Sequence, residues 1–144
     1  MDNLLTSKKL QLNPHGAHLV STETDFEELF YVSSTARSGD GDAIRGGVPI
    51  IAPWFADLLG KTPKHGWART AEWDVKTGEE GFNATISQDG IQLELQVEER
   101  LNGVHLALSA TNESEQPTTI QLAFHPYFRV THPEEVFIAG MEDV

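Results

Sequence analysis

Along residues 82–124 apolar and polar positions alternate almost without interruption. Phe82, Ala84 and Ile86 fall on one face of an extended chain, and after Asp89-Gly90 so do Ile91, Leu93, Leu95 and Val97. A period of two is the pattern of a strand with one buried face, and Asp-Gly between two such runs signals a hairpin turn. Asn102-Gly103 marks a second turn, leading to Val104, Leu106, Leu108 and Ala110; beyond the polar loop NESEQPTT comes a last alternating run, Ile120, Leu122 and Phe124. Turns spaced about ten residues apart predict an antiparallel meander within a sandwich or barrel, an all-β fold.

The first half is less regular. It predicts a strand over 28–33 and a broken apolar segment over 48–55, where Pro49 and Pro53 argue against a central strand. A short helical turn is expected around 57–59, no segment has the period of a long amphipathic helix, and SGDGD at 38–42 reads as a flexible connection rather than a domain linker. A chain of 144 residues without repeats suits a single domain over 1–144.

Alternation also orients the end of the last run. If Ile120, Leu122 and Phe124 face the apolar layer, then Thr119, Gln121, Ala123 and His125 face the other way. Ala123, with Ala107 on the equivalent face of the preceding strand, is expected to leave room there for a ligand.

Composition narrows the function. The formal net charge is −12, which repels phosphate backbones, and no basic track interleaved with aromatics compensates, so nucleic acid is not expected as a partner. The absence of cysteine excludes disulfides and zinc-thiolate sites. The first residues lack the apolar core of a secretory signal and no apolar run reaches membrane-spanning length, so a cytoplasmic protein without a membrane partner is expected. Charge is uneven, however. Between Arg45 and Arg69 four basic residues (Arg45, Lys61, Lys64, Arg69) stand against one acidic, Asp57, a local net of +3. A small anion such as a sugar phosphate or carboxylate explains such a window better than solubility does.

Three constellations carry candidate chemistry. Arg45-Gly46-Gly47-Val48-Pro49 is either a tight turn with a solvated arginine, or a place where glycines let backbone approach a ligand while a guanidinium grips an oxyanion. PKHGWART sets His65 and Arg69 around Gly66; it is either a structural loop anchored by Trp67, with His65 capping a backbone group, or a loop presenting His65 as hydrogen-bond or proton donor. His125-Pro126-Tyr127-Phe128-Arg129 ends a strand, where Tyr127 and Phe128 suit packing and an outward His125 suits a general acid. The six histidines also raise a metal site, but His15 and His18 have no carboxylate-rich helix or cysteine beside them, and no metal is expected. The Gly-x-Ser-x-Gly elbow of a serine hydrolase does not occur.

In this order and spacing AIRGGVPIIAPWF, PKHGWART and HPYFRV resemble the hexose-6-phosphate mutarotase (glucose-6-phosphate 1-epimerase) branch of the aldose 1-epimerase family, over nearly the whole chain. The resemblance implies an antiparallel β-sandwich of galactose mutarotase type, here a shortened or half-length version, that interconverts the α and β anomers of a hexose phosphate or other small sugar without a cofactor. It makes His125 the counterpart of the general acid that protonates the ring oxygen, and His65 a group that stabilises the same oxygen. Arg45 and Arg69 match the arginines that hold the substrate and its phosphate, and Gly46, Gly47, Trp54 and Tyr127 complete the expected substrate-binding set. The family's general base, a glutamate, and a further substrate-binding aspartate have no matching position in these residues. The alternative is therefore a non-catalytic sugar-phosphate-binding module. Half a sandwich leaves apolar faces and strand edges bare, so a homodimer or a partner chain covering them is also expected.

Overall fold

The computed structural model describes residues 1–39 and 41–141; Asp40 of the 38–42 loop and the last three residues of the domain lie outside the described residues. Described strands pair antiparallel throughout, and helix is confined to single 3-10 turns at Ala68–Thr70 and Pro133–Glu135. No helix among the described residues is long and apolar enough to cross a membrane.

Strands β1 (Leu5–Ser7), β2 (Leu10–Asn13) and β3 (His18–Thr22) form a three-stranded sheet that the residue pattern did not announce. These strands are short, so alternation has little length in which to show. β4 (Ile50–Ile51) follows a long irregular stretch. The expected meander is present as β5 (Asp74–Thr77), β6 (Gly81–Gln88), β7 (Ile91–Arg100) and β8 (Gly103–Asn112), in that spatial order. Its register sets Phe82 opposite Val97 and Ala84 opposite Leu95, which in turn faces Leu108. The buried face of β6 and β7 shares one core with Leu10, Leu12, Leu19, Ile50 and Trp73.

The final run departs from expectation. Only β9 (Ala123–Phe124) is regular strand, and it pairs with β4 rather than with β8. Ala107 on β8 and Ala123 on β9 therefore lie in different sheets and do not jointly make room for a ligand. Pairing continues irregularly on both sides of β9: Gln121 N–H donates to Pro53 O (2.9 Å), His125 N–H to Pro49 O (3.0 Å), Tyr127 N–H to Gly47 O (2.9 Å) and Arg129 N–H to Leu29 O (2.9 Å).

The 47–53 segment is thus central despite its prolines, flanked on its other side by the Leu19–Val48 bridge. Pro49 and Pro53 fit because each meets the 121–129 chain through its carbonyl, which proline retains. The strand expected over 28–33 is reduced to isolated bridges, Phe30 to Phe128 and Val32 to Gly46 among them. Leu122 and Phe124, expected against an apolar layer, are exposed, as is Phe128.

Candidate active site

The site forms where three irregular segments meet: 42–49, 63–70 and 121–127. Two buried histidines fasten the first. His15 Nε2 donates to Asp42 O (2.6 Å) while its Nδ1 lies 2.7 Å from Glu72 Oε1, and His18 Nε2 donates to Gly46 O (2.6 Å). Asp42 and Gly46 bracket Arg45, so the two histidines clamp the turn that presents it. They are joists of the site; among the described residues no group of three His, Asp or Glu side chains gathers to hold a metal ion. His18 is fully buried, and that burial lowers its pKa to about 4 against the opposing bond to Gly46, with His15 adding to the depression.

Glycines 46 and 47 have a reason other than ligand approach. Both have positive φ, +120° and +59°. A Cβ on Gly46 would run into Tyr31 O and Val32 Cα, and one on Gly47 into Leu19 O. Close approach of the neighbouring backbone is sufficient reason for glycine at both positions, with or without a ligand.

The PKHGWART loop is pressed just as closely onto the 52–56 chain. Gly66 has φ +75°, and a Cβ there would collide with the Ala52 carbonyl. His65, at φ +69°, exchanges two hydrogen bonds with Ala56: its N–H donates to Ala56 O (2.9 Å), and its Nδ1 accepts from Ala56 N–H (3.0 Å). The backbone-capping reading and the donor reading of His65 are therefore one arrangement. With Nδ1 accepting, the neutral ring carries its proton on Nε2, a donor turned away from the loop. Burial lowers its pKa, and the charges of Arg69, Lys64 and His125 lower it further, so the neutral donor form is favoured. Phe55 stands edge-on to the ring at 5.1 Å between centroids.

Trp54 does not face this space. It is 5 % exposed, packed in the core, and its indole N–H donates to Pro63 O (2.7 Å) under the Lys61 ammonium. It holds the loop rather than a ligand, a correction that burial makes plain. Trp67 is buried as expected of an anchor.

Arg69 sits on the 3-10 turn, half-buried. Its Nη2 donates to Lys64 O (3.0 Å), while its buried Nε has no protein partner. Burial lowers its pKa; Tyr127 opposes and Arg45 adds to the shift. Arg69, Arg45 and Tyr127 line one open cavity of about 340 Å³, together with Arg37, Thr35 and Asp42. Among the described residues none of the three arginines forms an ion pair. His125 is not among the lining residues, but its ring stands 5.0 Å from that of Tyr127, which is, as residues two apart on one face of an extended chain should be. Gln121, on the same face, accepts from Phe55 N–H through Oε1 (2.8 Å). His65 feels the charges of Arg69 and His125, and Arg69 those of Tyr127 and Arg45, so the two histidines lie near the residues that line the cationic cavity.

Arg37 was missed by sequence reasoning. In the chain it is followed by Asp40 and Asp42, whose charges mask it in any window count. The fold brings it to the cavity wall beside Arg45 and Arg69.

The all-β fold is that of solved mutarotase-like structures, matched over about half of their length. The family model of aldose 1-epimerase matches residues 5–143, and the chain belongs to that family. It is 32 % identical to a provisionally named glucose-6-phosphate 1-epimerase of Escherichia coli (strain K12), an alignment covering 89 % of this chain and 47 % of the relative. A solved structure of a provisionally named mutarotase from Salmonella typhimurium is 25 % identical and superposes with a TM-score of 0.59 over 75 % of this chain and 42 % of its own. The Slr1438 protein of Synechocystis sp. PCC 6803, at 20 % identity, shares the fold with a TM-score of 0.73 over 87 % of this chain and 53 % of its own. The chain spans about half the length of the curated relatives it matches.

Proposed function

We propose that these residues form the acid-bearing and anion-binding part of a hexose 6-phosphate mutarotase. The observation that carries the reading is a cavity walled by arginines that have no carboxylate partner among the described residues, with His125 stacked near its lining residue Tyr127 and His65 within reach of the charges of Arg69 and His125. Arg45 and Arg69 hold the phosphate through charge-assisted bonds, with the free Nε of Arg69 as one donor. His125 gives its proton to the ring oxygen as a base takes the proton of the anomeric hydroxyl. His65, held as the Nε2 donor by Ala56, hydrogen-bonds the same oxygen. The ring C1–O bond breaks, the open aldehyde turns about C1–C2, and closure on the other face reverses the two proton transfers. The relatives' printed names, epimerase and mutarotase, support the reaction class.

The same reading includes a protein partner layer. Leu122, Phe124, Phe128 and Val130 remain exposed on one side of the 121–130 chain, a surface suited to a second copy or a partner segment.

Arg69→Ala tests the ligand assignment. Calorimetric titration should show glucose 6-phosphate weakened by about tenfold or more, with free glucose little changed, because the lost contact is to a charge. Equal weakening of both sugars would remove Arg69 from the phosphate site.

A further inference from the structure

The motifs account for two of the three guanidinium groups around the cavity. Arg37 arrives by a different route, and the backbone shows how it is held. The Val32–Gly46 bridge and the bond from Ser33 N–H to Arg45 O (3.0 Å) tie its loop directly to the Arg45 turn. Ser33 then closes a tight turn: its carbonyl accepts from Ala36 N–H (2.9 Å), and its hydroxyl accepts from Thr35 N–H (3.3 Å) and lies 3.0 Å from Thr35 Oγ1. Arg37 leaves this turn into the cavity wall, exposed and without a carboxylate partner among the described residues.

Among the described residues of the wall, three arginines and Asp42 give a net charge of +2 in a chain of −12. Like charges held together repel, and fixing a third one beside two others is unfavourable unless something anionic offsets it. The second observation pointing to a ligand is the buried, unpartnered Nε of Arg69 in the same wall. A phosphate monoester is mostly doubly charged at neutral pH, its second pKa being about 6, and presents three acceptor oxygens. That matches the wall in charge and in number of cations, whereas a sulfate ester of the same shape carries a single charge.

We propose that Arg37 is a third anion-gripping residue of this site and that it sets the site's preference for doubly charged phosphate esters over singly charged sugar esters. The inference rests on the sugar-phosphate reading above and adds the residue and the charge state to it. Neither His65 nor His125 is among the described residues of the wall that Arg37 joins, so Arg37 determines specificity rather than chemistry.

The test is calorimetric titration at pH 7.5 of the wild-type protein, Arg37→Gln, Arg37→Lys and Arg69→Ala with glucose 6-phosphate and with glucose 6-sulfate. Arg37→Gln should weaken the phosphate about tenfold and the sulfate less than about threefold, with Arg37→Lys staying near wild type, as loss of one charge-assisted contact predicts. Equal weakening of the two esters would overturn the charge-state preference. Unchanged phosphate binding in Arg37→Gln, beside a clear loss in Arg69→Ala, would overturn the role of Arg37 and leave the sugar-phosphate reading standing. A wild-type protein that binds neither ester would overturn both.

Discussion

Acid should loosen the Arg45 turn through His18, a residue that reaches no ligand. Its ring is sealed in the core and donates to Gly46 O, one residue from Arg45, and its pKa is about 4 in the fold against 6.5 for a free histidine. Because the folded value is depressed, the unfolded chain takes up the proton first. The stability tied to neutral His18 is therefore intact above pH 6.5, declines as pH falls from there, and levels off below about 4. From these two values the loss at pH 5 is roughly 2 kcal/mol, out of a full effect of roughly 3 kcal/mol, an order-of-magnitude figure at 1.36 kcal/mol per unit. Against a typical domain stability of about 5–15 kcal/mol this is a large share. Urea denaturation at pH 7.5 and pH 5 would measure it in the wild type and in His18→Gln, whose amide offers an N–H toward Gly46 O but does not titrate. The wild type should lose about 2 kcal/mol more than the variant between the two pH values, whatever the variant costs at pH 7.5. Parallel losses in the two proteins would refute the reasoning, since carboxylates and other histidines are common to both.

Two further predictions concern the ring of His65 and the exposed face. Nitrogen-15 NMR should find His65 as the Nε2–H tautomer with its pKa below 6.5, because Ala56 N–H occupies Nδ1 and burial disfavours the cation; an Nδ1–H ring, or titration at or above 6.5, would contradict the site geometry. Sedimentation of the chain at micromolar concentration should reveal self-association through the Leu122, Phe124 and Phe128 surface, reduced by Phe128→Glu; a strictly monomeric, well-folded species would show that no second copy covers it.

The sequence told most where local rules suffice. The β6–β8 meander was legible because its turn residues, Asp89-Gly90 and Asn102-Gly103, stand between long alternating runs, and Asp89, Gly90 and Asn102 adopt the positive φ those residue types tolerate. The 120–125 run was expected to set Leu122 and Phe124 against an apolar layer beside the preceding strand, and neither the burial nor the partner is as expected. Which strand it pairs with is decided by tertiary packing around the 47–53 segment. Arg45, Arg69 and Tyr127, from three separate motifs, line one cavity, whereas Trp54 is buried in the core. Trp54 looked like a ligand contact because the core that buries it is assembled from residues distant in sequence, and the close packing of Gly46 and Gly47 against Tyr31, Val32 and Leu19 is equally hidden from local rules. Arg37 was invisible for the opposite reason: its sequence neighbours cancel a charge that the fold leaves exposed.

Magnetisation-exchange NMR on the α and β anomers of glucose 6-phosphate tests the central claim most directly. With the protein present, anomer exchange should run well above the spontaneous rate, and His125→Ala should abolish the acceleration while sugar-phosphate binding persists. Exchange at the spontaneous rate in the presence of a wild-type protein that binds the sugar phosphate would contradict a mutarotase and leave a binding module; acceleration that survives His125→Ala would place the acid elsewhere.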